Sequence, residues 1–493
     1  MLTQVIVTPV VTYTQPLGLF IDGQWVESVE GRKFDTINPT NEQPIVAISE
    51  AGPEDVDLAV KAARRAFNGI WSRTPPIARG KLLVKLADLF EEDSDTLAAI
   101  ESLDNGKALS MSKVDIQIAA DTLRYYGGWA DKINGKTIDT DVEHFTYTRH
   151  EPIGVCGQII PWNFPLVSLS MKIGPALACG NTVVVKTAEQ TPLSSLHAAT
   201  LMQKAGIPAG VVNILSGFGK TAGAAIAAHP DIDKIAFTGS TAVGRSILQA
   251  AAASNIKKLT LELGGKSANL VFNDADVEEA VTWAHLGIFW NHGQVCCAGS
   301  RIYVQSGIYD DFIRSFKARA SAVVIGDPFH QDTCEGPQIS KVQFDRIMDY
   351  IQSGKDDGAT LEMGGERHGT SGYIIQPTIF SNVSRNMKIV REEIFGPVCV
   401  ICRFDTEREA IELANDSNYG LAAAIHTADI NTTIRVSNEL KAGTVWVNTY
   451  NALSYQVPFG GFKESAMGRE MGEYALSDYT QVKSVRIKLK SNL

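Results

Sequence analysis

From Pro152 onward, short apolar runs alternate with segments whose apolar positions recur at helical spacing, and no other feature of the chain narrows its possible folds as much. Strand candidates are 154–160, 182–186, 211–215, 234–238 and 259–263; helix candidates between them are 165–178, 192–205, 221–228 and 242–253. Such alternation builds a parallel sheet with crossover helices, because parallel neighbours cannot be joined by a tight turn. The expected fold is α/β, with an open doubly wound sheet of about five strands that collects ligands at the carboxyl ends of its strands. A second alternating block, from 267 to about 463, has strand candidates at 268–272, 301–304, 398–404 and 443–448 and predicts a second α/β unit.

The flanks read differently. Met1–Leu19 holds no charged residue and reads as an extended arm, followed by strand-like pieces at 19–26 and 36–37 and helices at 56–67, 77–92 and 114–129. Segments 143–149 and 480–489 look like lone strands outside both blocks, which suggests a β-flap that pairs with another subunit. The net charge of -10, with Lys and Arg scattered, disfavours nucleic acid or an anionic membrane as the main partner. No window reaches the roughly 18 apolar residues of a membrane span; 166–185 comes nearest, broken by Lys172, two glycines and Asn181. The start lacks the basic residues of a leader, and Ser491-Asn492-Leu493 lacks the basic middle residue of a peroxisomal signal. Seven cysteines do not look like a disulfide framework, so a reducing, cytoplasmic compartment is expected.

Two segments carry groups suited to carbonyl chemistry. Gly293-Gln294-Val295-Cys296-Cys297-Ala298-Gly299 offers thiols among small neighbours, and Leu261-Glu262-Leu263-Gly264-Gly265-Lys266 offers a carboxylate at the end of a strand. A thiol attacks a carbonyl, and a carboxylate activates water against the resulting thioester. Each also has a plainer reading, since free cysteines are commonly small buried apolar groups and a strand-end glutamate is commonly solvated. Adjacent cysteines are poorly spaced for one metal, and none is expected. Cys399 and Cys402 form the only C-x-x-C, but in a strand pattern that sends them to opposite faces.

Asn163, within Pro161-Trp162-Asn163-Phe164-Pro165, is either a fixed donor to an oxyanion or an Asx turn into the next helix. Gly217-Phe218-Gly219-Lys220-Thr221 resembles the end of a P-loop, but Ile214 stands where the first glycine belongs. The run from Phe237 to Gly244 follows a strand and opens a helix, which suits a pyrophosphate. Lys186 and Glu189 end the second strand, either as partners of a ribose diol or as a surface ion pair.

In order, and together with Glu392-Glu393-Ile394-Phe395-Gly396-Pro397 and Pro458-Phe459-Gly460-Gly461, these segments resemble the motifs of the aldehyde dehydrogenase superfamily over nearly the whole chain, close to its general cytosolic and mitochondrial members. The resemblance implies a Rossmann-like NAD-binding domain at 1–133 and 153–264, a catalytic domain at 265–464, and an oligomerisation flap at 134–152 and 480–493, in a homotetramer or homodimer. It implies Cys296 as nucleophile and Cys297 as bystander, Asn163 with the Cys296 N–H as oxyanion hole, Glu262 as general base, and Lys172 with Glu470 as a proton relay. NAD, in preference to NADP, would meet Ile159, Trp162, Lys186, Glu189, Gly219, Gly239, Ser240, Gly244, Leu263, Glu393 and Phe395. Phe164, Met171, Leu453 and Phe459 would line the channel for an uncharged small-molecule aldehyde, oxidised to its acid through a thiohemiacetal and a thioester. Val295 departs from the cysteine many relatives have there. A non-catalytic paralogue would be marked by loss of Cys296, Glu262 or Asn163, and all three are present.

Overall fold

The computed structural model describes residues 2–490, so the terminal tripeptide 491–493 lies outside it. The arm is not simply extended. It folds back as an antiparallel hairpin of β1 (Thr3–Val7) and β2 (Thr12–Pro16). The cause is a turn at Thr8-Pro9, where the Thr8 hydroxyl accepts from the Val11 N–H at 3.0 Å and proline presets the backbone. Next come β3 (Leu19–Ile21), β4 (Gln24–Val26), β5 (Lys33–Asn38) and β6 (Gln43–Ser49), then α1 (Pro53–Ala66), α2 (Pro76–Glu92), α3 (Ser94–Asn105) and α4 (Leu109–Trp129).

The chain then makes β7 (Thr137–Asp141) and β8 (His144–Pro152) before entering the alternating block. That block runs β9 (Val155–Ile159), α5 (Pro165–Ala178), β10 (Thr182–Lys186), α6 (Leu193–Ala205), β11 (Val212–Leu215), α7 (Ala224–Ala228), β12 (Lys234–Thr238), α8 (Thr241–Ala253) and β13 (Lys258–Glu262). A single π-helical turn at Gly219–Gly223 precedes α7, where a continuous helix is expected from the sequence. The five strands are parallel in the order β13-β12-β9-β10-β11. Because β9 runs on to β10 and β11 on one side and returns to β12 and β13 on the other, the order reverses between β9 and β12, where such sheets open a ligand crevice. Val183, Val184 and Val185 are all buried, as a strand covered on both faces requires. Helix α5 is buried nearly all round, including Lys172, so it carries no polar face.

The second block builds a seven-stranded sheet from β14 (Ala268–Val271), β15 (Arg301–Gln305), β16 (Thr360–Met363), β17 (Thr378–Ser381), β18 (Val398–Phe404), β20 (Ala422–His426) and β21 (Thr444–Val447), with α9 (Val277–Phe289), α10 (Tyr309–Ser321) and α11 (Lys341–Asp356) among its helices. The pair β19 (Tyr419–Gly420) and β22 (Phe462–Lys463) stands apart. The chain finally returns to the first sheet, where β23 (Ala466–Met467) runs antiparallel beside β13. This return carries a late segment of the chain to Glu262. The last strand, β24 (Thr480–Lys488), pairs along its whole length with β8, and β7 completes a three-stranded sheet in the order β24-β8-β7. No helix among the described residues is long and apolar enough to cross a membrane.

Candidate active site

Three glycine-lined approaches bring the motifs together. A Cβ on Gly265 would lie 2.3 Å from the Cys296 carbonyl oxygen, and one on Gly264 would lie 2.4 Å from Glu393 Oε2. A Cβ on Gly460 would lie 2.9 Å from Glu262 Oε1. Hydrogen at these positions is what lets the strand end, the thiol loop, the 392–397 loop and the 458–461 loop share one cavity of about 230 Å³.

Cys296, Glu262, Asn163 and Glu470 line that cavity together with Trp162, Gly239, Ser240, Leu263, Glu393 and Phe395 and with Phe164, Met171, Leu453 and Phe459. The two thiols are distinguished. Cys297 is 1% exposed and donates to Asn451 Oδ1, whereas Cys296 is partly exposed to the cavity. A hydrogen bond with Cys297 and burial push the Cys296 thiol up from its ordinary value, so it rests protonated. Its backbone N–H finds no acceptor among the described residues. Asn163 forms no Asx turn. Its Nδ2 donates to the Gln294 carbonyl at 2.8 Å, which ties it across to the thiol loop and leaves its second amide hydrogen free.

Glu262 is not solvated. It is 4% exposed, and neither carboxylate oxygen has a hydrogen-bond partner. Burial and then the negative charge of Glu470 push it well above the usual carboxylate range. Behind it, Glu470 is ion-paired with Lys172, whose Nζ also donates to Thr238 Oγ1 at 2.7 Å. Lys172 itself sits outside the cavity wall in the core of α5.

The remaining cofactor candidates do not line the cavity. They follow the carboxyl edge of the sheet instead: Ile159 ends β9, Lys186 ends β10 with Glu189 just beyond, Gly219 follows β11, and Gly244 packs under Leu263 in the first turn of α8. Lys186 and Glu189 are no surface pair. Lys186 is 3% exposed, donates to the Thr187 carbonyl at 2.7 Å and stands 3.5 Å from Glu189, and burial pulls it below the usual lysine value. Burial raises Glu393 to about 7 even though the Gly265 N–H donates to it at 2.9 Å. Trp162 meets Phe395 edge-on at 5.2 Å, and Phe164 meets Trp290 at 5.2 Å.

Sequence reasoning did not single out the residues that hold Asn163 and the thiol loop. Lys107 forms a buried ion pair with Asp115, donates to the Asn163 carbonyl at 3.0 Å and lies over the Phe164 ring. Asn105 donates to the Trp162 carbonyl at 2.6 Å. Nothing local marks them; the one cue is a Gly106 between two polar residues at a helix end.

The thiol loop is bent sharply. Asn291, His292 and Gly293 are consecutive residues in the left-handed region, with φ of 48°, 58° and 71°, which costs a non-glycine residue about 1–2 kcal/mol.

Comparison with known proteins agrees with this geometry. The profile of the aldehyde dehydrogenase family matches residues 25–485. An Aspergillus niger protein named aldehyde dehydrogenase is 65% identical over 97% of this chain and 96% of its own length. Rattus norvegicus retinal dehydrogenase 2 is 55% identical over 96% of this chain and 92% of its own. The solved NAD+ complex of a Bacillus cereus aldehyde dehydrogenase superposes with a TM-score of 0.95 at 50% identity, covering 96% of this chain and 97% of that one. With its thiol, carboxylate and asparagine motifs meeting in one cavity and relatives matching nearly end to end, the chain belongs, as an enzyme, to the aldehyde dehydrogenase family.

Proposed function

We propose that the protein oxidises an uncharged aldehyde to its carboxylic acid with NAD+ and water, using Cys296 as nucleophile and Glu262 as base. One observation carries this reading: a cavity-facing thiol and a buried carboxylate with no partner of its own share one small pocket with a free amide donor. The residues present fit the cofactor. Gly239 and Ser240, which line the cavity, lead directly into α8, whose first turn carries no acidic side chain and whose Thr241 and Ala242 amides have no intrahelical acceptor, the Val243 amide being capped by Ser240 Oγ. Glu189 beyond β10 suits a ribose diol and repels the extra phosphate of NADP.

In this reading the Cys296 thiol, open to the cavity, gives its proton to water there, and Cys296 Sγ bonds to the aldehyde carbon. The resulting oxyanion is held by the free Asn163 amide hydrogen and the Cys296 N–H. NAD+, when bound, supplies the acceptor for the hydride lost from that carbon, leaving a thioester on Cys296. Glu262 then takes a proton from water, hydroxide adds to the thioester, and the acid leaves as Cys296 regains its proton. Lys172 and Glu470 offer the path by which the proton reaches solvent. Phe164, Met171, Leu453 and Phe459 give the substrate side an apolar wall suited to aliphatic or aromatic chains.

The exposed edges of the β24-β8-β7 sheet support a homodimer or homotetramer. Seven free thiols support a reducing compartment such as the cytoplasm. Nothing in the comparisons favours a non-catalytic paralogue. The test is reduction of NAD+ on adding an aldehyde: activity in the wild type and none in Cys296→Ala is expected, and full activity in Cys296→Ala overturns the assignment.

A further inference from the structure

We propose that His292 is a positioning residue for the nucleophile, its ring pegging the left-handed turn before Cys296 to the segment 336–339. The inference rests on the reading of Cys296 as nucleophile. His292 is 1% exposed. Its Nδ1 bonds the Pro337 carbonyl at 2.9 Å, and its Nε2 receives the Gly336 N–H at 3.0 Å. A ring that donates through Nδ1 while accepting through Nε2 is a neutral imidazole in one tautomer. Burial, which lowers it to about 3, keeps it in that form.

Two further bonds run beside the ring: Gln338 Nε2 donates to the His292 carbonyl at 3.4 Å, and the Ile339 N–H donates to Gln294 Oε1 at 3.0 Å. The turn has reason to need such a clamp, because its left-handed run is disfavoured by local sterics for Asn291 and His292. The segment it is clamped to cannot recede. A Cβ on Gly336 would lie 2.2 Å from the Gly106 carbonyl oxygen, and one on Gly106 would lie 2.6 Å from Pro337 Cγ.

Gly106 sits between Asn105 and Lys107, the two residues that hold the carbonyls of Trp162 and Asn163. The same strap therefore fixes Asn163 directly and Cys296 through His292, which sets the distance between thiol and oxyanion donor. Without the peg the turn relaxes toward right-handed geometry and carries Cys296 away from Asn163, and a displacement of about 1 Å at a reacting centre costs on the order of 100-fold in rate.

The experiment compares full-length His292→Leu, which removes both ring bonds, with His292→Gln, which keeps one donor and one acceptor. The expected result is a kcat about 10- to 100-fold lower in the leucine variant with KM for the aldehyde changed by less than about 3-fold, and recovery of at least about a third of the lost activity in the glutamine variant. A leucine variant within about 2-fold of wild type, or a glutamine variant no better than leucine, overturns the proposal. Should the leucine variant not fold, hydrogen exchange on the wild-type protein decides. Slow exchange of the Gly336 amide is expected, and exchange as fast as an open loop overturns the peg. A wild type that oxidises no aldehyde sinks the Cys296 reading instead and leaves the exchange result standing.

Discussion

Glu262 ends a five-residue strand that pairs in register with β12 on one side and with β23 at its end on the other. Cys296, facing the same cavity, follows a turn of three left-handed residues that no ladder supports. The carboxylate's place follows from regular hydrogen bonding between neighbours, and any sequence that makes β13 delivers a side chain there. The thiol's place depends on contacts far along the chain: Asn163 to the Gln294 carbonyl, Ile339 to Gln294, and the His292 ring to 336–337. One wall of the site is positioned by secondary structure and the other by tertiary bonds, so equal chemical changes should have unequal consequences on the two.

The largest expected effect tests which wall carries the bond-forming atom. Cys296→Ala should lower NAD+-dependent aldehyde oxidation by at least about 10⁴-fold with the fold intact, measured as steady-state turnover. Glu262→Gln should come next. A first-turnover burst survives while steady-state turnover falls about 10²- to 10⁴-fold, as loss of a general base implies; loss of the burst as well would show that Glu262 acts before the thioester. Because Glu262 lies above the usual carboxylate range, its basic form gains population as pH rises through that raised value. Hydrolysis should therefore rise with pH in the wild type and flatten in Glu262→Gln.

The same division decides what could be read before any coordinates. The strands 182–186, 234–238 and 398–404 and the helix 165–178 stand where their patterns put them, because apolar runs between turn residues report burial directly. Helix α3 and strands β17 and β20 carried no comparable signal: β20, Ala-Ala-Ala-Ile-His, has too little bulk to read as a strand. Glu262 was legible as a strand-end carboxylate, but its burial was not, since β23 and the 458–461 loop that cover it come some 200 residues later. Residue type alone could not choose between Cys296 and Cys297; the Asn451 contact that occupies Cys297 joins positions 154 apart. Lys107 and Asp115 were silent because a buried ion pair looks like two surface charges until its neighbours are known.

A single methyl group sharpens the contrast on the tertiary wall. Gly293 has φ +71°, and a Cβ there would lie 2.1 Å from the Gly396 carbonyl oxygen, in backbone that has no room to yield. Gly293→Ala should cost about 2 to 5 kcal/mol from strain and overpacking combined and should lower kcat, read by denaturant unfolding and steady-state kinetics. A loss under about 1 kcal/mol would show that the turn flexes freely. The view of the thiol as fixed by distant contacts would then fail.

The regular wall should answer a change of similar size far more mildly. Ser240 caps α8 beside the end of β12, its Oγ accepting from the Val243 N–H at 3.4 Å, a long bond for a cap. Ser240→Ala removes that oxygen, yet the main-chain pairing of β12 with β9 and β13 is untouched. The helix can draw on water for the freed amide at its open end. The expected cost is about 0.5 kcal/mol, the low end of the range for lost caps, seen as a small drop in the unfolding midpoint. A cost near that of Gly293→Ala would mean that the helix end, too, is held in a strained geometry, and that both walls of the site depend on tertiary bonds.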